Sequence, residues 1–352
     1  MPDLTNLLIE QVNDALNERQ SLEIVGGGSK AFMGRDVSGQ PLSLSDHRGV
    51  VSYEPVELVL TVLSGTPLSE IEQVLAEQNQ ELAFEPPQFG GNATIGGTLA
   101  CNQSGPGRPW LGSVRDHVLG VKLINGKGEH LNFGGQVMKN VAGYDVSRLQ
   151  AGAMGTLGVM TEISLKVLPK AEAEQTLCWD MPAQEALQFM NKMAGKPKPI
   201  TAACWVNGEL YIRFAGARAA VDATVKQWQL NSRPVDGDFG RALREKELSW
   251  FNPEKPLWRF SVNSAVDTSA LDQNVLLDWG GAQRWYQGEA DKAVFERLAQ
   301  QAGGQVQLFS GGNRKDDVMH ELPIAVQMLQ RRVKESFDPE AIFNPGRLYS
   351  WM

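Results

Sequence analysis

Residues 24–31 read IVGGGSKA, with three consecutive glycines between an apolar dipeptide and Ser-Lys-Ala. An amphipathic helix is predicted over residues 4–17 and a strand over residues 22–25, so the glycines follow a strand directly. A loop of successive glycines can turn several main-chain N–H groups toward one anion. A phosphate site is therefore one interpretation of this loop.

Two common phosphate-binding patterns fit this loop poorly. The P-loop needs Gly directly before Lys and Ser or Thr after it, but Ser29 precedes Lys30 and Ala31 follows it. The dinucleotide pattern G-x-G-x-x-A is formally present, yet it requires a following helix whose first turn faces the pyrophosphate. Residues 31–45 contain two glycines and one proline, which disfavour such a helix. An anion-binding nest without a helix remains, with a plain turn between strands as the alternative.

Two further glycine clusters change this balance. They are NATIGGTLACNQSG at residues 92–105 and GAMGTLGV at residues 152–159. Missing side chains in loops beside strands let the backbone approach a flat, bulky ligand closely. Three such clusters in one domain of about 170 residues predict a single long ligand, such as a pyrophosphate-linked dinucleotide. The alternative is three unrelated tight turns in a β-rich fold.

Composition restricts the other classes of function. The chain has 352 residues, 42% of them apolar, and carries a net charge of −8, which disfavours nucleic acid and anionic membranes as partners. The amino terminus lacks a signal-peptide pattern and the apolar stretches are too short to span a bilayer, so we expect a cytoplasmic location, with membrane association only through partners. The three cysteines and four histidines are spaced unlike a disulfide framework or a metal site.

The order of predicted elements divides the chain near Pro169. A helix over residues 66–79, capped by Thr66, precedes the second glycine cluster, and a linker is expected over residues 170–175. From residue 176 onward, strands and helices alternate in the manner of one antiparallel sheet backed by helices.

Residues 22–168, together with FDPEAIFNPGRLY at residues 337–349, resemble the FAD-binding domain of the vanillyl-alcohol oxidase and para-cresol methylhydroxylase (PCMH) superfamily. The resemblance implies an α+β fold with a two-part PCMH-type FAD-binding domain over residues 1–170. It also implies a reduced α+β cap domain over residues 171–310, for substrate or a partner. A C-terminal helical segment over residues 311–352 is expected to return to the FAD-binding domain.

The motifs of that family imply which residues bind FAD. The pyrophosphate would be wrapped by Gly26, Gly27, Gly28, Ser29 and Lys30. The flavin and its ribityl chain would be contacted by Thr94, Gly96, Gly97, Cys101, Asn102, Ser104 and Gly105. The isoalloxazine or adenine would lie near Gly155, Gly158 and Val159. FAD is expected to be noncovalent, because the first loop carries neither the His nor the Cys that attaches flavin in some relatives.

A closer resemblance, carried by SKAFMGR, FGGQVMKNVAGYDVSRL and LLDWGGAQRW, is to the FAD-binding subunits of bacterial glycolate oxidases. It implies a complex with a second flavoprotein subunit and an iron–sulfur subunit that oxidises glycolate, a 2-hydroxyacid, to glyoxylate. Two alternatives stay open: a non-catalytic FAD-binding assembly subunit and a stand-alone FAD-dependent hydroxyacid oxidase.

One motif of the D-2-hydroxyacid dehydrogenases in this superfamily is missing. Their G-H-x-G-D-G-N-x-H stretch, used for a metal and substrate, corresponds to LFSGGNRKDDVMH at residues 308–320, where Asn313 remains but no histidine precedes His320. No metal site is therefore predicted, and no catalytic residue is assigned.

Other polar and aromatic groups receive structural interpretations. Arg115 and Asp116 are expected to form a structural ion pair, and a solvated helix face is expected for Arg331, Arg332 and Lys334. An ordinary core is expected for Trp250, Trp258, Trp279, Trp285 and Tyr286. Two interpretations, a place near the flavin or a helix start, remain for Lys139, Asn140, Tyr144 and Asp145.

Overall fold

The structure is a computed structural model and describes residues 3–135, 145–235, 238–267 and 274–352. Lys139, Asn140 and Tyr144, named above, lie outside the described residues. The chain forms two compact units. The first unit comprises Met1–Gln103, Ser113–Pro169 and Arg314–Met352, and the second comprises Ser104–Gly112 and Lys170–Asn313. The sequence predicts that residues 104–112 belong to the FAD-binding domain, whereas in the structure they group with the second unit.

The helices of the described residues are α1 (Thr5–Glu18), α2 (Leu68–Ala76), α3 (Ile95–Ala100), α4 (Arg108–Leu111), α5 (Val114–His117), α6 (Val146–Leu149), α7 (Ala183–Ala194), α8 (Arg218–Trp228), α9 (Phe239–Glu245), α10 (Lys292–Gln301) and α11 (Ile324–Phe337). The strands are β1 (Leu22–Val25), β2 (Gln40–Ser43), β3 (Val50–Glu54), β4 (Val59–Leu63), β5 (Gln80–Glu81), β6 (Val118–Ile124), β7 (His130–Gly134), β8 (Val159–Lys166), β9 (Leu168–Pro169), β10 (Ala173–Asp180), β11 (Ile200–Val206), β12 (Glu209–Gly216), β13 (Arg233–Pro234), β14 (Leu257–Ser261), β15 (Val275–Asp278), β16 (Gln283–Gln287) and β17 (Gln305–Ser310). Among these helices, none combines the length and the apolar character needed to cross a bilayer.

The first unit is built around a five-stranded sheet in the order β3-β4-β8-β6-β7, in which all neighbours are antiparallel. Beside it, β1 and β2 form a parallel pair in which Leu22 lies opposite Gln40. Apolar side chains of β4 and β8 pack against α2, whose Leu68, Ile71 and Leu75 share one face and are fully buried. This core fixes the ends of β4 and β8, from which part of the candidate site is built.

Thr66 does not cap α2, contrary to the prediction. The residue before the helix is Pro67, and no side chain caps this end. The Thr66 hydroxyl instead donates to the carbonyl of Leu63 at 2.6 Å and accepts from the N–H of Gly49 at 2.8 Å. Thr66 therefore fixes the chain as it leaves β4 rather than the start of the helix.

The C-terminal segment supports β1. The N–H of Leu22 donates to the carbonyl of Ile342 at 2.7 Å, and the N–H of Asn344 donates to the carbonyl of Leu22 at 3.0 Å. Phe343, between these two residues, is fully buried in a cluster with Leu22 and Leu8 of α1. The strand that leads into the first glycine cluster is thus held from one side by residues more than 300 positions away.

Lys334 corrects the predicted solvated face of α11. Its side chain is buried, with the residue only 5% exposed. The ammonium group donates to Asp338 at 2.6 Å and to the carbonyls of Thr156 and Phe343 at 2.7 and 2.9 Å. Burial lowers the pKa of Lys334, and the neighbouring Asp338 opposes that shift. Arg331 and Arg332 are exposed, as expected.

The second unit contains an eight-stranded sheet in the order β13-β10-β12-β11-β15-β16-β14-β17, whose neighbouring strands pair antiparallel. The helices α7, α8 and α10 pack against this sheet. The expected linker over residues 170–175 is shorter than predicted, since β10 already begins at Ala173. Trp258 and Trp285 are buried, as expected for core residues, whereas Trp250, Trp279 and Tyr286 are only partly buried.

Asp116 has a different role from the predicted ion pair with Arg115. Its carboxylate accepts from the N–H of Ser113 at 2.8 Å and from the Ser113 hydroxyl at 2.7 Å, which forms a capping box at the start of α5. Arg115 is exposed. Asp116 therefore has a structural role, as predicted, but it has this role as part of a helix cap.

Candidate functional site

The first unit contains a cleft with about 870 Å³ of empty space, part of it open to solvent. Most of the lining residues belong to four segments: β1 with the loop after it, the region around α3, the loop before β8 and the C-terminal segment near Asn344. The lining is completed by Val37, Leu44, Ser64 and Met160. The residues that line the cleft include ten of the fifteen predicted cofactor-binding residues: Gly26, Gly28, Ser29, Lys30, Thr94, Gly96, Gly97, Cys101, Gly155 and Gly158.

The other five predicted residues are placed differently. Gly27, Asn102 and Val159 belong to the first unit but are not among the residues that line the cleft. Ser104 and Gly105 belong to the second unit, where the carbonyl of Gly105 accepts a hydrogen bond from the indole of Trp279 at 3.0 Å.

The first glycine cluster packs against residues 92–94. A Cβ atom built at Gly27 would overlap the main-chain oxygen of Asn92, and one at Gly26 would lie 2.6 Å from the Thr94 hydroxyl. Gly28 differs, because it has a φ of +74° and a Cβ there would meet nothing within 4 Å. Only Gly28 therefore presents a bare main chain to open space. Glycine at the other two positions is required by contact with the protein itself.

The second cluster forms the start of α3 close to the end of β4. Thr94 caps the helix, since its hydroxyl accepts from the N–H of Gly97 at 3.2 Å. The N–H of Gly96 donates to the carbonyl of Ser64 at 2.8 Å, and a Cβ at Gly96 would come within 2.7 Å of that oxygen. On this side, the cleft is therefore bordered by the main chain of Gly96 and by the side chain of Ser64.

The loop before β8 is tied to the C-terminal segment by Asn344. Its side-chain oxygen accepts from the N–H of Ile24 at 2.9 Å, and its nitrogen donates to the carbonyl of Met154 at 2.7 Å. Arg347 also lines the cleft and donates to the carbonyl of Ala31 at 2.9 Å. Sequence reasoning assigned no site role to Asn344 or Arg347, although both stand in the motif at residues 337–349 that carried the resemblance.

Positive charge is concentrated beside the first loop. Lys30 and Arg347 line the cleft, whereas Glu23 supplies the one carboxylate among the lining residues of the described chain. The Lys30 ammonium lies 3.3 Å from the Ser29 hydroxyl and 5.7 Å from the ring centre of Phe89. These charges, in a chain with a net charge of −8, favour an anion in the cleft.

Arg314 is a further cation near this loop, although it is not among the residues that line the cleft. Its guanidinium donates to the carbonyl of Gly34 at 3.0 Å. Burial, reinforced by the charge of Arg347, lowers the pKa of Arg314 to about 10. The group therefore stays protonated at neutral pH.

The residues of the cleft fit an FAD diphosphate on three independent observations. The main chain is uncovered at Gly28, cations stand beside it, and the buried hydroxyl of Ser64 has no hydrogen-bond partner. A buried hydroxyl without a partner indicates an unmet polar contact at that place. Ser64 is a residue that sequence reasoning missed.

The four histidines all lie in described parts of the chain, and none of them lines this cleft. The ring of His47 is buried, accepts from the N–H of Leu4 at 3.1 Å and makes its second hydrogen bond with the carbonyl of Thr161 at 2.9 Å. Burial lowers the pKa of His47, which favours the neutral ring. Across the described ranges, no group of three or more His, Cys, Asp or Glu residues could hold a metal ion.

Asp145, for which a place near the flavin or a helix start was expected, caps α6 by accepting from the N–H of Arg148 at 3.1 Å.

Comparison with known proteins adds four findings. The family described as FAD binding domain matches residues 2–134. Glycolate oxidase subunit GlcE of Escherichia coli (strain K12) is 44% identical over 99% of this chain and 98% of its own length. Glycolate oxidase subunit GlcD of Bacillus subtilis (strain 168) is 33% identical over 36% of this chain and 27% of its own length. The solved structure of an alkyldihydroxyacetonephosphate synthase has a TM-score of 0.66 at 17% identity, over 98% of this chain and 76% of that one.

These findings confirm two predictions. The match in fold over nearly the whole chain confirms the α+β, PCMH-type class. The matched domain and the similarity to GlcE confirm FAD as the cofactor.

Proposed function

This chain belongs to the family of FAD-binding oxidoreductases that includes glycolate oxidase subunit GlcE, and we propose that it is the FAD-binding subunit of a glycolate oxidase complex. The observation that carries the proposal is 44% identity over 99% of the chain. In this complex a second flavoprotein subunit and an iron–sulfur subunit act with the chain to oxidise glycolate to glyoxylate. Similarity to GlcD supports a second, related subunit. The complex is cytoplasmic, with any membrane contact made through partners.

In the proposed site, FAD lies in the cleft of the first unit and supplies a two-electron acceptor for a substrate that carries a hydroxyl group. Gly28, Ser29 and Lys30 hold the diphosphate, because an uncovered main chain and a cation complement its oxygens. The residues of α3 and of the loop before β8 form the walls along the flavin half. Binding is noncovalent.

A lysine and an arginine at the cleft have the role of neutralising the diphosphate. The ammonium of Lys30 is a compact charge that is already held beside the Ser29 hydroxyl. The guanidinium of Arg347 is oriented by its bond to the carbonyl of Ala31, which fixes it next to the same loop. Both cations are thus in place before the ligand arrives, and this preorganisation favours tight binding.

Purification of the complex from native cells tests the proposed function. We expect the chain to copurify with a second FAD-containing chain and a Cys-rich iron–sulfur chain. We also expect anaerobic glycolate to bleach the flavin absorbance of the isolated, FAD-loaded chain. An unchanged spectrum together with full activity of the complex would identify a non-catalytic assembly subunit instead. Isolation of the chain alone, consuming oxygen with glycolate, would identify a stand-alone oxidase.

The position of FAD can be tested at Cys101. This thiol lines the cleft and is partly exposed, whereas Cys178 and Cys204 are buried. Burial raises the pKa of the Cys178 thiol to about 11 and that of Cys204 well above its usual value, so both react slowly. In the FAD-free protein we expect one fast-reacting thiol, with saturating FAD slowing its alkylation by about tenfold or more.

The control for this experiment is Cys101→Ala. The variant should lose the fast-reacting thiol and still bind FAD. Equal alkylation rates of Cys101 with and without saturating FAD would place the cofactor away from this wall.

A further inference from the structure

Ser64 stands at the end of β4, where its main chain is fixed on both sides. The N–H of Ser64 donates to the carbonyl of Thr161 at 2.9 Å, and its own carbonyl accepts from the N–H of Gly96 at 2.8 Å. These bonds join the ends of β4 and β8 to the start of α3. The position of the Ser64 side chain is therefore set by the sheet, and only the hydroxyl can rotate.

The Ser64 hydroxyl is buried and has no hydrogen-bond partner, and the residue is only 1% exposed. Other polar side chains of the cleft are already engaged within the protein. The hydroxyl of Thr94 accepts from the N–H of Gly97, the hydroxyl of Ser29 accepts from Lys30, and the amide of Asn344 uses both its oxygen and its nitrogen. Buried hydroxyls in folded proteins are almost always hydrogen-bonded. The protein itself supplies no partner for the Ser64 hydroxyl, so the partner must come from outside the protein.

A bound ligand can supply that partner, since Ser64 is among the residues that line the cleft. Gly96 faces it on the same wall and cannot carry a side chain, because a Cβ there would lie 2.9 Å from the Ser64 Cβ. A substituent at Gly96 would thus compete with Ser64 for the same space.

We propose that the hydroxyl group of Ser64 donates a hydrogen bond to an oxygen of the ribityl–diphosphate chain of FAD. The proposal rests on FAD occupying this cleft, as proposed above. A hydroxyl that donates to an oxygen of this polar chain gains a bond that is absent in the FAD-free protein. Ser64 is therefore a cofactor-positioning residue, and its contribution appears in cofactor affinity rather than in the stability of the FAD-free fold.

Thr98 provides a matched control. Its hydroxyl is also buried and also lacks a partner, but Thr98 is not among the residues that line the cleft. Removing either hydroxyl relieves an unsatisfied group, so neither Ser64→Ala nor Thr98→Val should lower the melting temperature of the FAD-free protein. Only the first change should affect the binding of FAD.

Titration of the FAD-free chain with FAD, followed by flavin fluorescence, measures the effect. Ser64→Ala should raise the Kd for FAD about tenfold, and Thr98→Val should leave it unchanged. Ser64→Cys retains bulk but donates weakly, so its Kd should also rise. Wild-type affinity in Ser64→Ala and Ser64→Cys would overturn the proposal. A wild-type chain that does not bind FAD would instead contradict the site itself.

Discussion

Replacing Lys334 by methionine is expected to lower the free energy of unfolding by about 3–5 kcal/mol, measured by chemical denaturation of the FAD-free protein. The Asp338 side chain is fully buried and accepts the Lys334 ammonium at 2.6 Å. Without that cation the carboxylate keeps its bonds from the N–H groups of Ile342 and Phe343, but its charge is left unpaired in the interior. The carbonyls of Thr156 and Phe343 lose their shared donor as well.

The control for this prediction is Arg332→Met on the same helix. Arg332 is exposed, and its loss should change the free energy of unfolding by no more than about 0.5 kcal/mol. The double variant Lys334→Met, Asp338→Asn should recover part of the loss, because it removes the unpaired charge. If Lys334→Met unfolds at the same denaturant concentration as Arg332→Met, the buried ion pair does not support the fold.

Local patterns predict most of the elements that the structure contains. The hairpin of β6 and β7 follows from alternating apolar residues around an Asn-Gly turn, and α2 follows from the spacing of Leu68, Ile71 and Leu75. These signals are local because the elements that they specify are local. In the second unit, the alternation of strands and helices predicts a sheet backed by helices in the same way.

Local sequence patterns do not predict the burial of a residue when a distant segment determines its environment. On α11, Ile324, Met328 and Leu329 are exposed, whereas Lys334 is buried. Apolar periodicity would predict the reverse. Lys334 is buried because carbonyl groups of the loop before β8 and of the C-terminal segment converge on its ammonium. A pattern read from one helix contains no information about these partners.

The candidate site shows a similar division. The family motifs, which contain the three glycine clusters, implied ten residues that line one cleft, and dense glycine makes these motifs a strong local signal. Ser64, Asn344 and Arg347 were missed as site residues, because a single polar residue has no pattern of its own. A close approach of the ligand accounts for only part of this glycine content. The structure shows that Gly26 and Gly27 are needed for contact with residues 92–94, and that, of the three glycines in this cluster, Gly28 opens to free space.

That difference leads to a second large expected effect, in the first glycine cluster. Gly27→Ala should raise the Kd for FAD at least about 100-fold and lower the free energy of unfolding by about 3 kcal/mol. The added Cβ would overlap the main-chain oxygen of Asn92 and lie 2.7 Å from its carbonyl carbon. Because the obstacle is backbone, no side-chain rotation can relieve it, and the loop must move away from Thr94 and α3. Flavin fluorescence titration and chemical denaturation measure the two effects.

Gly28→Ala and Gly91→Ala separate this steric effect from backbone strain. Both glycines have positive φ, +74° and +93°, and at both a Cβ would meet nothing within 4 Å. Each change should therefore lower the free energy of unfolding by only about 1–2 kcal/mol. Gly28 lines the cleft and Gly91 does not, so only Gly28→Ala should also weaken FAD binding, because its methyl group enters the space assigned to the diphosphate. Wild-type FAD affinity in Gly27→Ala would mean that the packing of this loop against Asn92 does not hold the cofactor site.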